Sequence, residues 1–339
     1  MHIGLTGYLA CGKGELANIL QNKGFTYISL SDVVRKAATD EGLEHTRENL
    51  QKIGNELRAK FGSGHFSREV RKEIEANPDK KYVIDGIRNP MEAKELQALP
   101  DFYLVGISAS PDTIVERIMS RAREGDKLSK EDVLEKLNIE KGKDQPKDGQ
   151  QVAKCLEMVN FLIVNEGTLE EVEQKIDHFL GIINGSARPT FDEVFMGNAV
   201  NWAERSTCLR RKVGSVISKD NQQLTAGYNG APRTMKHCAE LGGCLREKMG
   251  IPSGQRHEIC RGTHAEQNAI TQAAKFGINI EGGTLYCNTH PCSICTKMII
   301  NAGITKVVYD SDYDDALSKE MLGEQTALEL VRFEGLRSL

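Results

Sequence analysis

Along the first half of the chain, short apolar runs alternate with stretches of helical periodicity. MHIGLTG reads as a β-run entering a Gly-containing loop, and KGELANILQNKG carries apolar positions at helical spacing up to Gly24. FTYISLS, KKYVIDGI, DFYLVGISAS and NFLIVNEG read as further strands, with helical stretches between them. TLEEVEQKIDHFLGII closes the series as an amphipathic helix. Strand–helix alternation of this kind predicts a doubly wound parallel α/β sheet. EGDKLSKEDVLEKLNIEKGKDQPKDGQQ is dense in charge with no apolar face of useful width, so it predicts a solvated lid or loop.

NGSARP, residues 184–189, is polar with Gly and Pro, and reads as a linker between domains at 1–183 and 190–339. Beyond it the pattern predicts a helix over FDEVFMGNAVNWAERS and a hairpin over VGSVISKDNQQLTAGYNG. A Cys-rich loop follows. Helix HAEQNAITQAAKFG, strand GGTLYCNT, helix PCSICTKMIINAG, strand KVVYD, a C-terminal helix and a short strand complete a second α/β/α arrangement.

The length of 339 residues agrees with two domains, at roughly 100–200 residues each. Hydrophobic residues make up 39% and charged residues 27%, which excludes a disordered or fibrous chain. A net charge of −4 argues against a coat for duplex nucleic acid. No apolar run reaches the ~18 residues of a membrane span. MHIGLTGYLA also lacks the features of a signal peptide, so the expectation is a cytoplasmic protein without a membrane partner.

Nine cysteines is an odd count, and seven lie between Cys208 and Cys295. Clustering in a reducing compartment points to metal rather than disulfides. His264-Ala265-Glu266 is followed by Pro291-Cys292-Ser293-Ile294-Cys295. A zinc ion that activates water needs about three protein ligands and an open position. His264 would supply a nitrogen, and Cys292 and Cys295 two sulfurs from one turn at a helix start, where thiolate is favoured. Glu266 can reach the water without ligating the ion, and can carry its proton. H-x-E…P-C-x-x-C is the pattern of zinc nucleobase deaminases, although a purely structural zinc knuckle uses the same ligand types.

Residues from about 190 to 339 resemble the deoxycytidylate (dCMP) deaminase family through the stretches STCLRRKVGSVI, GYNGAP, HAEQNAI, LYCNTHPCSICTKMIINAGI and VVYDSDY. The resemblance implies a five-stranded mixed sheet flanked by helices, dCMP as substrate, dUMP and ammonia as products, and homo-oligomers. It also implies that Asn229 contacts the deoxyribose and that His264, Cys292 and Cys295 hold the catalytic zinc. Transfer RNA adenosine deaminases share the core motifs but lack the Tyr-Asn-Gly segment and the Cys-rich insertion.

Cys208, Cys238, Cys244 and Cys260, with His237 and His257 among them, offer ligands for a second, structural zinc that would clamp the insertion. The four cysteines are favoured, with His257 as substitute; free thiols are the competing reading. Similar bacterial dCMP deaminases place cysteines at comparable points. Cys11, Cys155 and Cys287 read as core residues.

GYLACGKG at 7–14 matches the phosphate-binding G-x4-G-K loop, with Gly7, Gly12, Lys13 and Gly14 at its fixed positions. Amides from Leu9 to Gly14 could cradle phosphates, but Gly14 stands where a Mg²⁺-binding Ser or Thr belongs. Residues 1–183 resemble dephospho-CoA-kinase-like and adenylate-kinase-like proteins through SLSDVVRKAA, HTRENLQKIGNELR, VIDGIRNPMEAKEL and VNFLIVNEGTLEEV. That resemblance places Asp32 and Arg35 at an acceptor site, Asp85 and Arg88 after the third strand, and Arg117, Arg121 and Arg123 on a lid helix. Gly14 weakens phosphoryl transfer, so a regulatory domain binding ATP or a deoxynucleoside triphosphate with Mg²⁺ is expected, with an active kinase or a relic as alternatives. A dCTP deaminase of nucleotide-depletion type and a nucleotide-responsive protein with a silent site remain competing functions.

Overall fold

The computed structural model describes residues 1–120, 129–140, 142, 149–252, 254–313, 315–324 and 327–337, excepting the side chains of 47, 48 and 51. It divides into two compact units, Met1–Ala187 and a second that begins at Arg188. No helix among these residues is long and apolar enough to cross a membrane.

The first unit runs β1 (His2–Gly7), α1 (Lys13–Asn22), β2 (Thr26–Ser29), α2 (Leu30–Asp40), α3 (Arg47–Phe61), α4 (His65–Glu75), β3 (Tyr82–Ile87) and α5 (Pro90–Leu96). It continues with β4 (Phe102–Ser108), α6 (Pro111–Ser120), α7 (Lys130–Glu140), α8 (Val152–Glu157), β5 (Phe161–Val164) and α9 (Leu169–Ile183). The five strands are all parallel, in the order β2-β3-β1-β4-β5. β1 is buried along its whole length because it lies between β3 and β4 with helices over the sheet, so an uninterrupted apolar run suits it. The chain order reverses at β1, and the carboxyl end of such a switch strand is where α/β sheets bind ligands.

The sequence pattern misplaces two elements here. Strand FTYISLS ends early: Ser29 accepts a hydrogen bond from the Ser31 amide, Asp32 reaches back to the Ser29 amide, and a helix starts at Leu30. The charged stretch expected to be a solvated lid contains α7, whose Val133 and Leu137 are fully buried with Ile114 and Val115 of α6 against Tyr8 and Ala10. Two apolar residues one turn apart make a stripe too narrow to stand out among the charges, yet sufficient to dock.

The second unit runs α10 (Phe191–Ala203), β6 (Gly214–Lys219), β7 (Gln222–Tyr228), α11 (Leu245–Lys248), α12 (Ala265–Phe276), β8 (Thr284–Thr289), α13 (Ser293–Asn301), β9 (Lys306–Ser311), α14 (Ala316–Glu324) and β10 (Glu329–Arg332). Its sheet is mixed, in the order β10-β9-β8-β6-β7, with β6 antiparallel to both neighbours. Both faces are buried, and adjacent residues alternate between them. Val216, Tyr286 and Val308 pack with Phe195 and Met196 of α10, whereas Ile217, Leu285 and Val307 pack with Ala269 and Ile299 of α12 and α13. The β6–β7 turn is made by Asp220 and Asn221, both at positive φ (52° and 58°), the pairing that matches strand twist in a two-residue hairpin.

Candidate active site

The carboxyl end of β7, the amino ends of α12 and α13, and the Cys-rich loop converge on a cavity of about 110 Å³. His264 immediately precedes α12 and Glu266 lies in its first turn; Cys292 precedes α13 and Cys295 lies within it. α12 is seated on β7 by backbone approach. A Cβ at Gly227 would fall 2.2 Å from the Ala265 carbonyl oxygen and 2.6 Å from the Ala269 nitrogen, so only glycine fits. Asn268 Nδ2 donates to the Tyr228 carbonyl at 2.7 Å, and Gln267 Oε1 accepts from the His264 amide at 2.8 Å.

His264 Nδ1 lies 3.3 Å from both Cys292 Sγ and Cys295 Sγ. Tetrahedral zinc with one nitrogen and sulfur ligands sets such N···S edges at about 3.5 Å, so the donor set fits the ion. The Cys295 thiol beside it, and then the His264 ring, draw Cys292 down to about 4 against the effect of burial. Cys295 keeps the shared proton and is pushed well above the usual thiol range. Burial opposes charge on His264, but its hydrogen bond with Cys292 and the charge of Glu266 prevail and hold it above its ordinary value. Glu266 is almost wholly buried, and desolvation raises its carboxyl above the carboxylate range.

The Cys-containing turn has its own support, which the motif did not reveal. Asp315 accepts from the amides of Ser293 and Ser318, at 2.8 Å and 3.0 Å, and Ser318 Oγ donates to the Pro291 carbonyl at 2.7 Å. These residues lie more than twenty positions downstream, and no local spacing marks them.

Asn229 lines the cavity, but most of its amide is committed. Oδ1 accepts from Ser206 Oγ at 2.5 Å and from the Val213 amide at 2.9 Å, and Nδ2 donates to the Arg211 carbonyl at 2.9 Å. It ties the 206–213 segment to the end of β7, and one N–H is left for a ligand. Cys208, Cys238, Cys244 and Cys260 line the same cavity. Burial and then the other three cysteines push the Cys238 thiol up, so the four share one neighbourhood. Among the described residues, ligand atoms lie mutually within 4.8 Å in His257–His264–Cys292 and in His264–Glu266–Cys295. His257 thus stands beside His264, its ring edge-on at 5.2 Å, in the cavity that the four cysteines also line. Cys11, Cys155 and Cys287 are fully buried.

In the first unit, Gly7 and Gly12 permit close approach: a Cβ would fall 2.1 Å from the Ile107 carbonyl oxygen and 2.4 Å from Asn165 Nδ2, respectively. Lys13 Nζ donates to the Gly7 and Tyr8 carbonyls at 2.6 and 2.7 Å. Gly14, in the first turn of α1, has open space where a side chain would extend. Asp85 Oδ2 accepts from Tyr27 OH at 3.2 Å, and Arg117 Nη2 donates to Asn165. Asp32 caps α2 and pairs with Arg35 at 2.6 Å, while the Arg88 amide donates to Glu92. Arg121 and Arg123 lie outside the described residues.

Residues 189–311 match the family described as Cytidine and deoxycytidylate deaminase zinc-binding region, and residues 6–135 match an AAA domain. The deoxycytidylate deaminase of Schizosaccharomyces pombe is 32% identical over 318 residues, covering 92% of this chain and 91% of that protein. The chain belongs to the deoxycytidylate deaminase family. It is a deaminase of the hydrolase class joined to a phosphate-loop unit. A UPF0200 protein of Methanoculleus marisnigri is 30% identical over 184 residues, covering 54% of this chain and 97% of that one. The structure of a dCMP deaminase from cyanophage S-TIM5, in complex with dCMP and dUMP, is 32% identical, with a TM-score of 0.36. It covers 43% of this chain and 98% of the cyanophage one.

Gly227→Ala is expected to push α12 off β7. Overpacking against backbone typically costs about 1–3 kcal/mol. Thermal melting should fall by several degrees, and deaminase turnover should fall with it; a variant with unchanged melting and turnover would show that α12 does not depend on this approach.

Proposed function

We propose that the second unit hydrolyses dCMP to dUMP and ammonia, with His264, Cys292 and Cys295 holding a zinc ion and Glu266 carrying the proton. The observation behind this reading is the approach of one imidazole nitrogen to two sulfurs at 3.3 Å beside a buried carboxylate. Zinc bound there would supply the Lewis acidity that lets water lose a proton near neutral pH. Glu266 accepts that proton and delivers it to the pyrimidine ring nitrogen. It then takes the second proton from the hydroxyl added to the ring carbon and passes it to the departing amine, which leaves as ammonia. Its raised affinity for a proton suits a group that must hold one between those transfers. Arg210, Arg211 and Arg246 line the cavity and match a substrate carrying phosphate better than a bare nucleoside.

Cys208, Cys238, Cys244 and Cys260 are read as ligands of a second, structural zinc that orders the insertion around the cavity. The phosphate-loop unit is read as a regulatory nucleotide-binding domain, because Gly14 offers no hydroxyl to Mg²⁺ while the backbone cradle remains.

Glu266→Gln should retain zinc and lose about 10²–10⁴-fold in turnover of dCMP, since the amide preserves shape but carries no proton. Parallel assays with dCMP, dCTP and deoxycytidine test the substrate. Near-normal turnover in the variant, or preference for another substrate, would overturn that part of the reading.

Metal analysis of wild-type protein should return two zinc ions per chain. Cys292→Ala should abolish activity, whereas Cys238→Ala should lose one ion and melt at lower temperature. A single zinc in the wild type would remove the second site.

Deamination should respond to added nucleoside triphosphates, and Lys13→Ala should abolish that response while leaving basal turnover intact. Allosteric coupling of this kind is typically about 1–3 kcal/mol, a readily measured change. An identical response in both proteins would separate the phosphate loop from regulation.

A further inference from the structure

We propose that Glu140 is a built-in occupant of the phosphate loop, so that a nucleoside triphosphate enters only when α7 leaves. The inference rests on reading this loop as a nucleotide site. The Leu9 amide, at the strand-side end of the cradle, already has a partner: it donates to Glu140 Oε2 at 2.7 Å across 131 residues of sequence. A carboxylate on a loop amide is the same kind of contact that a phosphate oxygen makes there, and the two anions cannot share it.

The contact is held by packing as well as charge. Val133, Leu137 and Glu140 follow one another at four and three residues, so they share one face of α7. Val133 and Leu137 are fully buried in a cluster that includes Tyr8 and Ala10 of the loop itself. Docking the apolar pair therefore delivers the carboxylate to the amide. The loop's own cation is also engaged: Lys13 Nζ is hydrogen-bonded to the Gly7 and Tyr8 carbonyls. The Leu9 amide and the Lys13 ammonium are thus both engaged by the protein itself.

A triphosphate must therefore displace Glu140 and undock α7. The affinity observed is the intrinsic affinity multiplied by the fraction of chains in which α7 is released. The same requirement makes the ligand informative, because a ligand shifts an equilibrium only by binding two states unequally. ATP or dCTP would favour the state with α7 released.

The test is calorimetric titration of the full wild-type chain and of Glu140→Ala with ATP and with dCTP, together with amide hydrogen exchange over residues 130–140. The variant should bind the triphosphate about tenfold more tightly, within the range usual for coupled sites. In the wild type, saturating triphosphate should speed exchange in α7. Equal, measurable affinities in the two proteins would overturn the proposal, as would slower exchange in α7, which would mark a clamp and not a plug. Absence of binding to both proteins would overturn it together with the nucleotide-site reading, a pattern distinct from equal affinities.

Discussion

A carboxylate buried as deeply as Glu266 is costly unless its surroundings give its charge, or its proton, somewhere to go. The second unit is organised around that constraint. His264 stands two residues away and its ring draws the Glu266 carboxyl back toward the charged form, while His264, Cys292 and Cys295 make a donor set whose charge a metal would balance. None of this holds unless α12 and α13 present their first turns to each other. Gly227 sets the depth of α12 on the sheet, and Asp315 and Ser318 fix the turn before α13. The chemistry thus depends on ordinary packing of helices against β7 and β8.

How much of this was legible in the sequence depended on whether its cause was local. His264, Glu266, Cys292 and Cys295 announced themselves because a helix start fixes their relative positions within a few residues. The strands of both sheets were legible for the same reason, since apolar runs and their alternation report burial directly. Asp315 and Ser318 were not, because their role exists only once α14 has folded back beside Pro291. The proximity of His257 to His264 was not legible either, because an imidazole in a Cys-rich loop can turn either way. Helix α7 was hidden by its charges, with two apolar side chains sufficient for docking but too few for a pattern.

The two units keep their glycines for different reasons. In the phosphate loop, Gly7 and Gly12 let backbone pass within contact of β4 and Asn165, so the cradle persists as a shape. Gly14 is different: there is room for a side chain, and none is present. On the regulatory reading proposed above, a loop that preserves its shape while lacking the hydroxyl for a metal would recognise a phosphate chain without cleaving it.

The sheet borders carry a consequence for the behaviour of the chain in concentrated solution. Both borders of the first sheet, β2 and β5, are four residues long, as is β10 at one side of the second. Strands that short offer few free amides and carbonyls for another chain to pair with. β7, at seven residues, is the exception, and it begins with exposed Gln222 and Gln223. Unwanted strand addition, and the aggregation that follows from it, therefore has one principal point of entry among the described residues, on the strand that also seats α12.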